Sequence, residues 1–180
     1  MTTKPPEPAA VETIARYRLA LVQEAVEPFA PPQDPLRDPE ATAAFLHRLL
    51  ADRPFEAVGA LLLNQRHQPL GYVLPYHGTL SRAAVEPRAF LAAALLSNAG
   101  ALVLFHRHPA GDPAPTEEDL LFTRRMAGAG VVMGIRLADH LILGEPPEYV
   151  SVLELGRHRW PPPEHLSIAV VRRRRRRRHA

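Results

Sequence analysis

The chain has 180 residues, 46% of them hydrophobic, enough for one buried core and too apolar for a disordered polymer. It contains no cysteine, which excludes disulfides and thiolate metal sites, so any metal must be held by histidine and carboxylate. The net charge of +3 suggests a nucleic-acid binder until the charges are located: Arg172 to Arg178 form one run, and removing those seven arginines leaves the remainder at −4.

The N-terminal "MTTKPPEPAA" lacks the basic and then apolar pattern of a signal peptide, and no run approaches the roughly 18 apolar residues of a membrane span. A cytoplasmic protein with no membrane association is the expectation. Residues 1–38 read as a leader and linker. An amphipathic helix is predicted over Val11 to Glu27, followed by "PFAPPQDPLRDP", whose prolines forbid its continuation. Residues 39–156 form the predicted domain, and residues 157–180 a proline-rich and arginine-rich tail in which Leu166 to Val171 could add an edge strand.

Within the domain, "DPEATAAFLHRLLAD" predicts a helix capped by Asp38, with Pro39 at its first position and Ala41, Phe45, Leu46 and Leu49 on one face. The apolar runs "EAVGALLLN" and "PLGYVLPY" flank the polar "QRHQ", which predicts a hairpin. "EPRAFLAAALLSNAG" reads as a helix with Pro87 in its first turn and Gly100 just past its end. "ALVLFHRH" reads as a buried strand, "TEEDLLFTRRMAGAG" as a helix, and "DHLILG" with "YVSVLE" as a final pair of strands. This order specifies an α/β or α+β sandwich with a mixed central sheet flanked by helices.

The strand "ALVLFHRH" delivers two histidines to the start of a proline-studded loop. Alternation along a strand turns His106 and His108 to the same side, where two imidazoles can share a metal. Pro109, Gly111, Pro113 and Pro115 restrict the loop that follows, so that Asp119, in the first turn of the next helix, can return to them. Thr116 and Asp119 also fit a helix cap, and the two readings are compatible: Thr116 can cap while Asp119 faces a metal. Two histidines and one aspartate leave a tetrahedral position open for water, the pattern of a catalytic zinc. Such a site needs a base outside the ligand set, and Glu56, at the head of "EAVGALLL", is the candidate, although composition alone makes it the solvated start of a strand.

The order Glu56, His106-x-His108, seven residues, a hydroxyl residue, two residues and Asp119 resembles the JAMM signature of JAB/MPN-domain metalloproteases. Within that group it resembles the RadC-like branch, whose loop commonly reads His-Asn-His-Pro-Ser-Gly where this chain has "HRHPAG". "HGTL" at His77, "VEPRAF", "GIRLADHLILG" and "YVSVLELG" are further similar stretches, so that the match runs from Pro39 to Gly156. The resemblance implies a cytidine-deaminase-like JAB/MPN sandwich. It also implies Zn2+ held by His106, His108 and Asp119, Glu56 as general base, and Thr116 in the place of a serine that helps bind water and stabilise the oxyanion.

The implied activity is hydrolysis of a peptide or isopeptide bond in a protein substrate. The alternative is a metal-bound scaffold linked to DNA repair or other nucleic-acid transactions, with nonspecific binding through Arg172 to Arg178. Arg107 and Ala110 depart from the common asparagine and serine of the loop, which bears on loop polarity more than on metal binding. Residues 1–38 lack the paired short helices and glycine turns of a helix-hairpin-helix region, which removes the main support for duplex binding. Asp139 and His140 read as a structural pair at a strand start, and Arg124 and Arg125 as a solvated helix face.

Overall fold

The computed structural model describes residues 32, 34–51, 56–76, 85–108 and 111–156. The N-terminal helix, His77, the possible strand at Leu166 to Val171, Trp160 and the arginine run lie outside the described residues.

Three helices, α1 (Pro39–Leu49), α2 (Pro87–Leu96) and α3 (Glu117–Met133), accompany five strands: β1 (Ala57–Leu63), β2 (Pro69–Tyr76), β3 (Ala101–Arg107), β4 (Arg136–Leu143) and β5 (Tyr149–Ser151). They form one mixed sheet in the order β2-β1-β3-β4-β5. β3 and β4 run parallel through the α3 crossover, and every other neighbouring pair is antiparallel. Alternation divides the core into two layers. Val58, Ala60, Leu62, Leu102 and Leu104 pack with Phe90 of α2 and Met126 of α3 on one face. Leu61, Leu63, Val103 and Phe105 pack with Phe45, Leu46 and Leu49 of α1 on the other. Helices on both faces bury the strands from both sides, which is why the central ones read as nearly unbroken apolar runs.

Several local boundaries differ from expectation for physical reasons. In α1, Thr42 replaces Ala41 on the buried face, because its hydroxyl donates to Asp38 O at 2.7 Å and so enters the core satisfied. α2 stops at Leu96 rather than near Gly100, with Asn98 taking the left-handed turn at φ 56°. Gly100 lies beyond that turn, beside the movable amide end of the exposed Gln65 side chain. α3 runs past Gly130 to Met133 and ends at Gly134, φ 71°. Gly130, inside the helix, occupies a position where a Cβ would strike Ile135 O at 2.4 Å. β5 pairs over only three residues before the chain turns. Among the described residues no helix is long and apolar enough to cross a membrane.

Candidate metal centre

β3 ends at Arg107, but the His108 N–H donates to Leu143 O at 3.1 Å and continues the ladder one residue further. Alternation therefore holds through both histidines. Their rings meet edge to face with centroids 4.5 Å apart, on the same side of the sheet as Leu102, Leu104 and α3. Arg107, between them, turns the other way and donates to Leu50 O at 3.0 Å, beyond the end of α1.

α3 begins with a complete capping box. Asp119 N donates to Thr116 Oγ1 at 3.3 Å, and Thr116 N donates to Asp119 Oδ2 at 2.8 Å. The Thr116 hydroxyl also donates to Asp119 Oδ2 at 2.6 Å, while the other carboxylate oxygen, Oδ1, lies 2.8 Å from His106 Nδ1. One carboxylate thus both caps the helix and faces the histidines. Burial works to raise the Asp119 pKa, but hydrogen bonds from His106 and Thr116, with the attraction of His106, outweigh it and hold the carboxyl well below the usual carboxylate range.

His108 is fixed through Nδ1, 2.8 Å from Asp112 O, which as an acceptor puts the proton on Nδ1 and leaves the Nε2 lone pair bare. Nε2 stands 3.4 Å from Asp119 Oδ2 without hydrogen-bond geometry, and it is buried with no hydrogen-bond partner among the described residues. A buried nitrogen left so costs about 1–3 kcal/mol, and a cation facing that lone pair would remove the cost. One atom each from His106, His108 and Asp119 lie within 4.8 Å of one another, and all three residues are buried. Two imidazole nitrogens and a carboxylate oxygen suit a borderline cation such as zinc.

Glu56 arrives by strand register. Antiparallel pairing sets Ala57 opposite Arg107 and Val58 opposite His106, so the residue before β1 stands at the histidine end of β3. Its Oε1 lies 3.1 Å from His106 Nε2, and its side chain is 20% exposed, reaching both the cluster and solvent. All five residues singled out from the sequence therefore meet at one end of the sheet.

Sequence reasoning did not find Thr123. This fully buried residue, one turn after Asp119, donates through Oγ1 to Asp119 O at 2.6 Å and stands 2.6 Å from His140 Nδ1, which as donor completes a relay from β4 to the first turn of α3. The i, i+4 spacing of Asp119 and Thr123 was the available signal; its link to His140 depends on the parallel β3–β4 crossover. Asp139 ties β4 to the turn after β5, accepting from His140 N at 2.7 Å, Ser151 Oγ at 2.7 Å and Leu153 N at 3.2 Å. Arg125 pairs with Glu86 at 3.2 Å on the surface.

Burial raises the Asp139 carboxyl above its ordinary 3.8 despite these three donors. The native chain therefore holds that proton more tightly than the unfolded one. The associated stability is fully present below the unfolded value and is lost as pH rises through the folded value. Asp139→Asn keeps the shape and removes the titration. Urea midpoints across the acid range are expected to show the parent losing ground to the variant as pH climbs above about 4. A difference that stays flat with pH would assign the Asp139 contribution to its hydrogen bonds alone.

A sheet covered on both faces, with two imidazoles and a carboxylate gathered at one end, defines an α/β domain with a candidate metal centre. Comparison with known families is more particular: residues 36–157 match the RadC-like JAB domain, and the chain belongs to that family. Among curated relatives, a UPF0758 protein of Pseudomonas putida (strain W619) is 34% identical over 121 residues, 67% of this chain and 53% of that protein. A UPF0758 protein of Thioalkalivibrio sulfidiphilus is 38% identical over 123 residues, 68% of this chain and 54% of that protein. One of Aeromonas hydrophila is 39% identical over 112 residues, 62% and 50% of the two chains. The chain spans about half the length of the curated relatives it matches.

Proposed function

We propose that the chain is a zinc-dependent hydrolase of the JAMM type, cleaving a peptide or isopeptide bond in a protein substrate with water. The observation that carries this reading is the approach of a second, partly exposed carboxylate, Glu56, to a buried two-histidine, one-aspartate cluster. A purely structural site has no need of it. His106, His108 and Asp119 would hold the zinc, which when bound polarises a carbonyl and acidifies water. Glu56 takes the proton from the attacking water as the C–O bond forms and returns it to the nitrogen as the C–N bond breaks. Thr116 holds Asp119 in place through two hydrogen bonds to Oδ2. To donate to a water or an oxyanion, its hydroxyl must first release that oxygen. A cysteine-free histidine and carboxylate site is compatible with a reducing cytoplasm.

The test is a panel of peptide and isopeptide-linked substrates, with zinc content measured in each preparation. Cleavage that chelator suppresses and zinc restores is the expected result. A zinc-loaded parent inactive across the panel would favour the scaffold reading, in which the metal stabilises a binding module.

The charge distribution bears on that second reading. With the arginine run removed the chain carries −4, so deletion of Arg172 to Arg178 is expected to abolish most affinity for DNA or RNA and leave only weak binding with a shallower salt dependence. Undiminished duplex binding by the shortened chain, measured by titration at several salt concentrations, would move nucleic-acid recognition to the folded domain.

A further inference from the structure

α2 and α3 press their inner faces on the sheet and leave a groove of about 640 Å³ between them on the outside. Leu91, Leu95, Ala129, Val132 and Met133 line it, and the Glu86–Arg125 ion pair with Arg88 closes one end. Leu95, Val132 and Met133 are 45%, 67% and 45% exposed, an apolar surface of a kind that usually marks an interaction site.

We propose that the occupant is the chain's own segment Val11 to Glu27, which lies outside the described residues. Leu36 N donates to His67 O, and the His67 ring accepts from Arg136, which follows Met133 by only three residues. The chain thus enters the domain at the end of the sheet where the apolar mouth of the groove opens. The nine steps from Glu27 to Leu36 reach up to about 30 Å, enough to round that end.

Wound as a helix, Val11 to Glu27 places Ile14, Leu21, Val22 and Ala25 on one arc and Glu12, Arg16, Gln23 and Glu27 on the opposite one. Arg18 shares the apolar arc, where its alkyl stem can lie on apolar surface with the head in water. Entry by the Glu27 end fixes the polarity of the docked helix: with Ala25 near Met133, Arg18 lies about 10 Å further along, level with Arg88 at the start of α2, and Val11 lies beyond it.

The absence of cysteine makes this directly testable in the full chain. Two cysteine pairs, Ala25→Cys with Met133→Cys and Arg18→Cys with Arg88→Cys, are treated with a short bis-maleimide. Both are expected to link within one chain, while the mismatched pair Val11→Cys with Met133→Cys does not. Adding Val132→Glu, at a solvent-exposed position that leaves the core intact, should lower both matched yields by on the order of tenfold or more, because a carboxylate is forced against apolar surface. Equal yields for matched and mismatched pairs, links formed only between chains, or yields indifferent to Val132→Glu would each overturn the proposal. Links between chains would assign the groove to a second copy.

Discussion

A chain carrying His108→Ala is expected to leave a stringent chelator wash nearly free of metal, where the parent keeps about one zinc per chain. Of the three candidate ligands, His108 gives the cleanest test. Its Nε2 is the buried nitrogen without a hydrogen-bond partner, so its removal deletes a metal contact and no hydrogen bond at that atom. The bond from Nδ1 to Asp112 O is lost as well, at a net cost of about 1 kcal/mol that a folded domain of this size tolerates. Asp119 is less clean, because its carboxylate also completes the α3 capping box, and its loss would weaken the helix start along with the site. His106 contacts both Asp119 and Glu56, so its removal would leave two carboxylates facing each other. Metal content by elemental analysis, with circular dichroism as a check on folding, decides the matter. A variant that is folded and holds as much zinc as the parent would exclude His108 from the ligand set.

How much of this site was legible in advance depended on whether the signal was local. The two histidines were legible because strand alternation is a period-two rule that one segment carries alone, and the ladder bond from His108 N to Leu143 O preserves it. Asp119 was legible twice over, as cap and as candidate ligand, and the two oxygens of its carboxylate divide those roles. Glu56 was not legible from composition at all. Its approach to His106 is produced by the β1–β3 register, a pairing across some fifty residues that no window of sequence contains, and only resemblance to a motif singled it out. Thr123 was missed for the same reason: it looks ordinary in its own segment and meets His140 only because the crossover returns β4 beside β3, while Asp139 and His140, read as a structural pair at a strand start, are structural but lie inside β4. The local misreadings concern ends. Gly100 looked like the stop signal of α2, but the left-handed turn falls at Asn98, and α3 runs on through Gly130, where contact with Ile135 O leaves no room for a Cβ, to its left-handed end at Gly134.

Glu56→Gln separates an enzyme from a scaffold. The substitution preserves the size of the side chain and an oxygen able to keep the 3.1 Å contact with His106, yet it removes the basicity that proton transfer requires. Because Glu56 is not among the three clustered ligands, zinc content is expected to match the parent. Stability should change little, since the side chain sits just before β1 with a fifth of its surface in solvent and the amide oxygen can keep the His106 contact. If the chain is a hydrolase, turnover on the best substrate of the panel should fall on the order of a hundredfold or more, the scale for deleting a positioned general base. The loss should be in kcat, with KM little altered, because the residue acts on a proton in flight and not on the bound substrate. Equal rates for parent and variant would remove Glu56 from the mechanism and leave the metal assignment standing on His108→Ala. Loss of zinc along with activity would instead make Glu56 a fourth ligand, closing the position that a substrate or water needs and turning the centre into a structural one.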